Sequence, residues 1–251
     1  MANFTEKYSL YYDIIYAKKN YIKETKLIKK IIKKYSPKSK DLLDMGCGTG
    51  KYSYLLTKQG FEVTGIDKSK HMIKIAKENF RENKKLNFLN LDLLHFNSKK
   101  KFGVISALFH ILSYQTKNKQ VDSFFKISNN LLIKNGILIF DFWFLPGVIN
   151  LKQPNKYRMI NKKNLKILRL TNSEWMKNKN RINDIHQVYI FKKNKIISNF
   201  TETHKMRYFD MKFIKKKLTR YKFKFIKSLD LDNGLAPSTN TWGALVIAKK
   251  I

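Results

Sequence analysis

One cysteine in 251 residues, Cys47, leaves the chain unable to form an intramolecular disulfide, a multi-cysteine zinc cluster or an iron–sulfur cluster on its own. A reducing compartment is the simpler expectation. Long apolar runs are missing too: the most apolar stretch, 137–149, is interrupted by Asp141 and Pro146 and is too short to span a bilayer. The first ten residues hold no apolar core of signal-peptide length, so the expectation is a cytoplasmic protein without a membrane span. Acidic residues are scarce, 18 against 52 Lys and Arg, which gives a net charge of +34. Such a charge attracts nucleic acid, an anionic membrane surface or an anionic small molecule. Arginine is scarcer still, with only Arg81, Arg158, Arg169, Arg181, Arg207 and Arg220. Surfaces that read phosphates or base edges lean on the bidentate arginine fork, whereas this excess is Lys accompanied by many Asn and Ile. Those three residue types share A/T-rich codons, so a genome-wide compositional bias competes as the origin of the charge. No His, Asp and Glu cluster at metal-ligand spacing is visible, and no metal is expected.

What is present is enough apolar and aromatic material, 43% and 14%, for a sizeable core, and the length favours one large domain with an insertion. Three- and four-residue apolar steps over 6–35 predict an amphipathic helix stopped by Ser36-Pro37. A regular alternation follows: strands at 41–45, 61–66, 86–91, 102–108 and 136–142, with helices at 51–59, 69–82 (capped by Ser69) and 116–133. Alternation at this spacing implies parallel βαβ units with right-handed crossovers in a doubly wound α/β sheet. From about 157 to 209 the helical period disappears, and 165–170, 185–191 and 196–204 read as antiparallel strands. A helix at 210–221 and strands at 223–229 and 242–248 can close the sheet. The expected organisation is an N-terminal helical cap (1–37), an α/β core (38–150 and 210–251) and an antiparallel insert (151–209).

The sharpest local feature is Asp44-Met45-Gly46-Cys47-Gly48-Thr49-Gly50, between the first strand and its helix. Glycines there let the backbone turn tightly and approach a ligand beside a helix N-terminus. A Walker-type phosphate loop fails at Met45 and Tyr52, and a dinucleotide fingerprint is disfavoured by Lys51. What survives is Gly-x-Gly-x-Gly behind an acid, and DLLDMGCGTG resembles motif I of class I S-adenosylmethionine-dependent methyltransferases. The resemblance implies a seven-stranded, mostly parallel Rossmann-like sheet that binds S-adenosylmethionine and releases S-adenosylhomocysteine. It implies that Asp67, ending the second strand, holds the ribose and that Asp92, after the third, meets the adenine amine. The implied cofactor site comprises Asp44, Gly46, Cys47, Gly48, Gly50, Asp67, Lys68, Met72, Asp92, Leu93 and Leu108, covered by Tyr12, Tyr16 and Tyr21.

A second layer of likeness lies in 11–21, Phe109-His110-Ile111-Leu112-Ser113-Tyr114, Asp141-Phe142-Trp143-Phe144-Leu145-Pro146 and 202–209. Together these segments resemble the small-molecule branch that includes N-methyltransferases of nucleotide-linked amino sugars and enzymes of surface-polysaccharide pathways. The branch implies that the insert forms the acceptor pocket and a homodimer contact. His110, Tyr114 and Tyr12 are the candidate catalytic groups, since imidazole and phenol can take or give a proton. Trp143, Phe144, Tyr157, Arg158, His204, Arg207 and Tyr208 are the candidate acceptor contacts, with Arg158 and Arg207 able to grip a phosphate or carboxylate. The loop after the fourth strand lacks the Asp/Asn-Pro-Pro-Tyr/Phe slot of base-amine methyltransferases, and the only cysteine sits in the glycine turn rather than at a pyrimidine-attacking position. Methyl transfer by in-line displacement to a small anionic acceptor is the leading expectation. An RNA methyltransferase and a non-catalytic cofactor-binding domain are the rivals.

Overall fold

Apolar residues at alternate positions of the central strands face opposite ways, and helices cover both faces. In the computed structural model, which describes residues 4–152, 155–162 and 164–251, Leu42 of β1 (Asp41–Met45) packs with Ile28, Ile31 and Ile32 of α2 (Tyr21–Tyr35) and Leu56 of α3 (Lys51–Thr57). Its neighbours Leu43 and Met45 face the other layer, with Phe124 and Phe125 of α5 (Asn118–Leu131) and Leu218 of α7 (Met211–Arg220). Two-sided cover explains why β1 and β4 (Phe102–Ala107) are buried along almost their whole length.

The strand order is β3 (Leu86–Asn90), β2 (Glu62–Asp67), β1, β4, β5 (Leu132–Phe144), all parallel. β11 (Gly243–Lys250) then pairs antiparallel with β5, and β10 (Phe223–Asp230) with β11, completing the expected seven-stranded sheet. Helix α4 (Lys70–Phe80) starts where expected, its first turn capped by the Ser69 hydroxyl, which accepts the Met72 N–H at 3.3 Å.

Three features depart from the sequence reading. The N-terminal helix is two: α1 (Glu6–Ile15) ends at Tyr16, and Asn20 caps α2 by accepting the Lys23 N–H at 3.0 Å. An apolar period continues across that break, so spacing alone hides it. A short helix α6 (Leu145–Leu151) carries Pro in its first turn, where a missing N–H costs nothing. The antiparallel strands are longer and more numerous than expected: β6 (Lys156–Lys162), β7 (Leu165–Met176), β8 (Arg181–Lys192) and β9 (Lys195–Phe209) form a meander. β6 escapes a composition-based reading because its Lys, Arg and Asn residues leave little apolar alternation. β9 joins the central sheet by parallel pairing of Tyr208 and Phe209 with Trp143 and Phe144 of β5. The insert thereby stands against the carboxyl ends of the central strands, where open α/β sheets bind ligands. Residues 1–3 of the expected cap and 153, 154 and 163 of the expected insert lie outside the described residues. Among the described residues no helix is long and apolar enough to cross a membrane.

Candidate active site

The glycine turn leaves β1 with Gly46, Gly48 and Gly50 at φ +74°, +55° and +82°, a region that L side chains rarely enter. The Gly46 and Cys47 N–H groups donate to the Ile66 carbonyl at 2.7 and 3.0 Å, folding the turn onto the end of β2. A Cβ at Gly46 would collide with Ile111, so the positive φ and the close approach both require glycine there. Asp67, at the tip of β2, accepts the Gly48 N–H at 3.0 Å and the Ser69 N–H at 2.8 Å. Burial pushes its carboxyl up, and these two N–H groups pull the other way. Asp44 lies beneath the turn, not in it: its carboxylate accepts the Ser53 hydroxyl at 2.6 Å and the Ser106 hydroxyl at 2.8 Å, tying β1, α3 and β4 together.

Two adjoining cavities open beside this turn. A slot of about 50 Å³ is lined by Asp67, Lys68, Leu91, Asp92 and Leu93. It shares Gly46, Asp67, Ile111 and Tyr114 with a chamber of about 320 Å³. The chamber has Tyr8, Tyr12 and Tyr16 on one side, with Gly48, Met72 and Leu108 also on its lining. His110, Tyr114 and Trp143 come from the sheet's carboxyl edge, and Arg169, Asp184, His186 and His204 come from the insert. Helix α1 forms the cover because both of its ends are fastened. Thr5, its cap, donates its hydroxyl to Glu202 of β9 at 2.8 Å, while Asp13 accepts the Thr49 hydroxyl at 2.8 Å and lies 3.2 Å from Lys51. One helix thus bridges the insert and the glycine turn.

The chamber holds the two imidazoles of the insert neutral. Burial, then the neighbouring His204 and Arg169 charges, push the His186 imidazole down to about 2, and burial with Arg169 takes His204 down to about 3. Their rings lie 4.8 Å apart. His186 Nδ1 meets the Thr171 hydroxyl at 3.0 Å, and His204 Nδ1 meets the Tyr114 hydroxyl at 3.0 Å. Burial raises the Tyr114 and Tyr12 phenols well above their ordinary value, so both stay protonated near neutral pH. His110 differs from the insert histidines in having a carboxylate beside its ring: Nδ1 lies 2.9 Å from Asp141 Oδ2.

Of the predicted residues, the structure brings Tyr12, Tyr16, Gly46, Gly48, Asp67, Met72, Leu108, His110, Tyr114, Trp143 and His204 to the chamber, and Lys68, Asp92 and Leu93 to the slot. Others lie elsewhere. Tyr21 packs on Tyr52, Cys47 is buried against α4, Gly50 caps α3, and Phe144 belongs to the main core. Tyr208 is buried with Val148 and Met206, and Arg207 points to the opposite face, donating to Asn118 at 2.8 Å. Tyr157 is 76% exposed on β6, and Arg158 stands at an outer groove with Tyr16, Lys18 and Phe109. Sequence reasoning missed Tyr8, Arg169, Asp184 and His186. A period-2 signal was available: Arg169-x-Thr171, Asp184-x-His186 and Glu202-x-His204 each place two polar groups on one strand face.

The chemistry of these donors fits S-adenosylmethionine. Carboxylates at the ends of β2 and after β3 face the slot, a glycine turn adjoins both spaces, and the insert's imidazoles, His186 and His204, carry no charge to oppose a sulfonium. Residues 42–136 match a family model described as a methyltransferase domain. A dTDP-3-amino-3,6-dideoxy-alpha-D-glucopyranose N,N-dimethyltransferase of Streptomyces fradiae is 22% identical over 147 residues, 58% of this chain and 56% of that protein. A ribosomal RNA small subunit methyltransferase A of Mesomycoplasma hyopneumoniae (strain 232) is 30% identical over 116 residues, 45% of this chain and 44% of its own. The chain spans about half the length of the curated relatives it matches. The solved structure of the sugar N-methyltransferase KedS8 from Streptoalloteichus sp ATCC 53650 shares the fold with a TM-score of 0.80 at 17% identity, covering 95% of this chain and 92% of that one. With the glycine turn and the strand-end acids in place, residues 42–136 match a methyltransferase domain, and the sheet that they help to build has the fold of a solved methyltransferase.

Proposed function

We propose that this protein is a cytoplasmic enzyme that methylates a nitrogen or oxygen of a small anionic acceptor, such as a nucleotide sugar or sugar phosphate of surface-polysaccharide synthesis. The observation that carries this reading is Arg169. Its side chain is buried on β7 at the chamber wall, Nη1 donates to the Tyr16 hydroxyl at 3.4 Å, and Nε has no hydrogen-bond partner among the described residues. A buried guanidinium with an unused donor calls for an anion, and a phosphate or carboxylate in the chamber supplies one. Bound S-adenosylmethionine supplies an activated methyl group. In-line transfer of that methyl to the acceptor would release the acceptor's proton, which this chain must take up on a base. His110 is that base in this reading, because the Tyr12 and Tyr114 phenols hold their protons and His204 is too weakly basic. Placement of two reactants in a closed space does the remainder.

The RNA reading draws on three relatives described as ribosomal RNA small subunit methyltransferase A and on the charge, but part of that charge is in the wrong place for it. Lys38, Lys40, Lys100, Lys101, Lys134 and Lys250 flank the amino ends of β1, β4 and β5 and the end of β11, which is the sheet edge opposite the chamber. A polymer held there meets no reactive group.

Three measurements test the proposal. Transfer of labelled methyl to sugar phosphates and nucleotide sugars is expected, with none to purified RNA; the reverse result, or no turnover on any acceptor, overturns it in favour of one rival or the other. Arg169→Ala should raise the acceptor KM by roughly 10- to 100-fold, the worth of one charged hydrogen bond, with the S-adenosylmethionine Kd unchanged. A homodimer through the insert is also proposed, since β6 pairs on one side only and exposes Tyr157 and Met159 at 76% and 49%. Sedimentation should show a dimer that Met159→Asp dissociates, and a monomeric native protein removes this part.

A further inference from the structure

His110 occupies an improbable backbone position. It and Phe109 stand at φ +68° and +64°, two successive non-glycine residues in the left-handed region, at the point where β4 gives way to a 3-10 turn over Ile111–Tyr114. Conformations of that kind cost free energy and persist only where the surroundings over-determine them. Here the surroundings are Asp141 and Gly243. Asp141, 1% exposed near the carboxyl end of β5, accepts the His110 backbone N–H through Oδ1 at 2.8 Å and sets Oδ2 2.9 Å from Nδ1. The ring contact is one of distance and charge, not an aligned hydrogen bond. In many enzymes such contacts come into line only with substrate bound. On the far side the ring rests on Gly243 of β11, where a Cβ would come within 2.6 Å of Cε1. Trp143 stands beside it with ring centroids 6.3 Å apart.

We infer that Asp141 is a positioning residue for methyl transfer: one buried carboxylate fixes both the left-handed backbone of His110 and the proton on its Nδ1, leaving Nε2 as the lone-pair nitrogen that takes the acceptor proton. The reasoning is electrostatic. An unprotonated Nδ1 would set its lone pair against a carboxylate oxygen at 2.9 Å, whereas a protonated Nδ1 meets an acceptor. The orienting carboxylate of a nucleophile–base–acid arrangement acts in the same way. Other titratable groups share the chamber with His110: Tyr12 and Tyr16 from the cover, Asp67 from β2, Tyr114 from the 3-10 turn, and Lys156, Arg169, Asp184, His186 and His204 from the insert. The inference rests on His110 being the base, and its test separates the two.

Asp141→Asn is the decisive variant. Its side-chain oxygen can still accept the His110 N–H, so the backbone stays anchored, but its amide presents N–H to Nδ1 and drives the ring proton to Nε2. Nitrogen-15 spectra of the free protein, which report the tautomer without any turnover, should show His110 with its proton on Nδ1 in the native protein and on Nε2 in Asp141→Asn. The variant should lose about 100-fold or more in kcat, the usual worth of a general base, with the S-adenosylmethionine Kd unchanged. Asp141→Glu, which keeps the charge, should recover part of that loss. A native tautomer protonated on Nε2, or an Asp141→Asn enzyme with native kcat, overturns the inference. If His110→Gln retains native turnover, it is the assignment of the base that fails, and the tautomer spectra still decide whether Asp141 sets the ring.

Discussion

Asp67→Ala is expected to abolish calorimetric detection of S-adenosylmethionine binding, weakening it by roughly 100- to 1000-fold. A carboxylate accepting from two ribose hydroxyls makes two charge-assisted hydrogen bonds, each worth about 1.5–3 kcal/mol, and every 1.4 kcal/mol is tenfold. The position matters as much as the charge. Asp67 ends β2 beside the slot, and its oxygens already hold the Gly48 and Ser69 N–H groups at 3.0 and 2.8 Å, so the turn and the first turn of α4 are shaped around it. Alanine removes the proposed ribose partner and frees both N–H groups. Asp67→Asn should fall between the two, since one amide oxygen can serve the turn while the amide nitrogen faces a hydroxyl poorly. Undiminished binding in Asp67→Ala overturns the cofactor assignment. Binding that falls together with a large drop in Tm indicates a turn that has collapsed, and Asp67→Asn, whose one amide oxygen keeps one of the two N–H contacts, then decides if its Tm is native.

The parts of this arrangement that repeat with a fixed local period were readable from the chain. Strand–helix alternation gave the parallel sheet, Gly46 to Gly50 gave the turn, and Asp67 and Asp92 fell at successive strand ends. Parts defined by chain reversal or by distant pairing were not. The break between α1 and α2 depends on Asn20 capping a helix whose apolar period runs on unbroken, and β6 lacks apolar alternation because its partner β7 supplies the buried face. Candidate acceptor contacts divided by strand parity. On β9, His204 and Met206 face the chamber, whereas Arg207 emerges on the other side. A one-residue difference in a strand reverses the side chain, and a stretch of mixed polarity such as Glu202 to Phe209 does not reveal which parity is internal. In the sequence Asp141 stands out only as part of the segment after the fifth strand, and its contact with His110 spans 31 positions.

Acidification should destabilise this protein well before its carboxylates are protonated, because two imidazoles in the chamber cannot accept a proton while it is folded. His186 and His204 are pushed down to about 2 and about 3, whereas an unfolded chain protonates them near 6.5. Between those limits the unfolded state binds protons that the folded state refuses, so stability falls as pH falls. Above about 6.5 the cost is absent; below it each histidine contributes about 1.4 kcal/mol per pH unit, or at most about 4 kcal/mol for the pair at pH 5. For a chain of this length that corresponds to a fall in Tm on the order of 10 °C between pH 7.5 and 5. The buried carboxyls of Asp44, Asp67 and Asp184 act in the opposite sense. Burial raises them, so their folded forms keep protons that the unfolded chain releases, and their contribution improves as pH drops through the carboxylate range. The histidine effect comes first on the way down, because its window opens near 6.5. Thermal unfolding of His186→Gln with His204→Gln, whose amides can still meet Thr171 and Tyr114, should lose most of the slope between pH 7.5 and 5. An unchanged slope would show that the lability arises elsewhere. The same neutrality serves binding: a protonated imidazole in a chamber that also holds Arg169 would repel a sulfonium, so with both imidazoles held neutral the S-adenosylmethionine affinity of the folded protein should not fall on their account between pH 7.5 and 5.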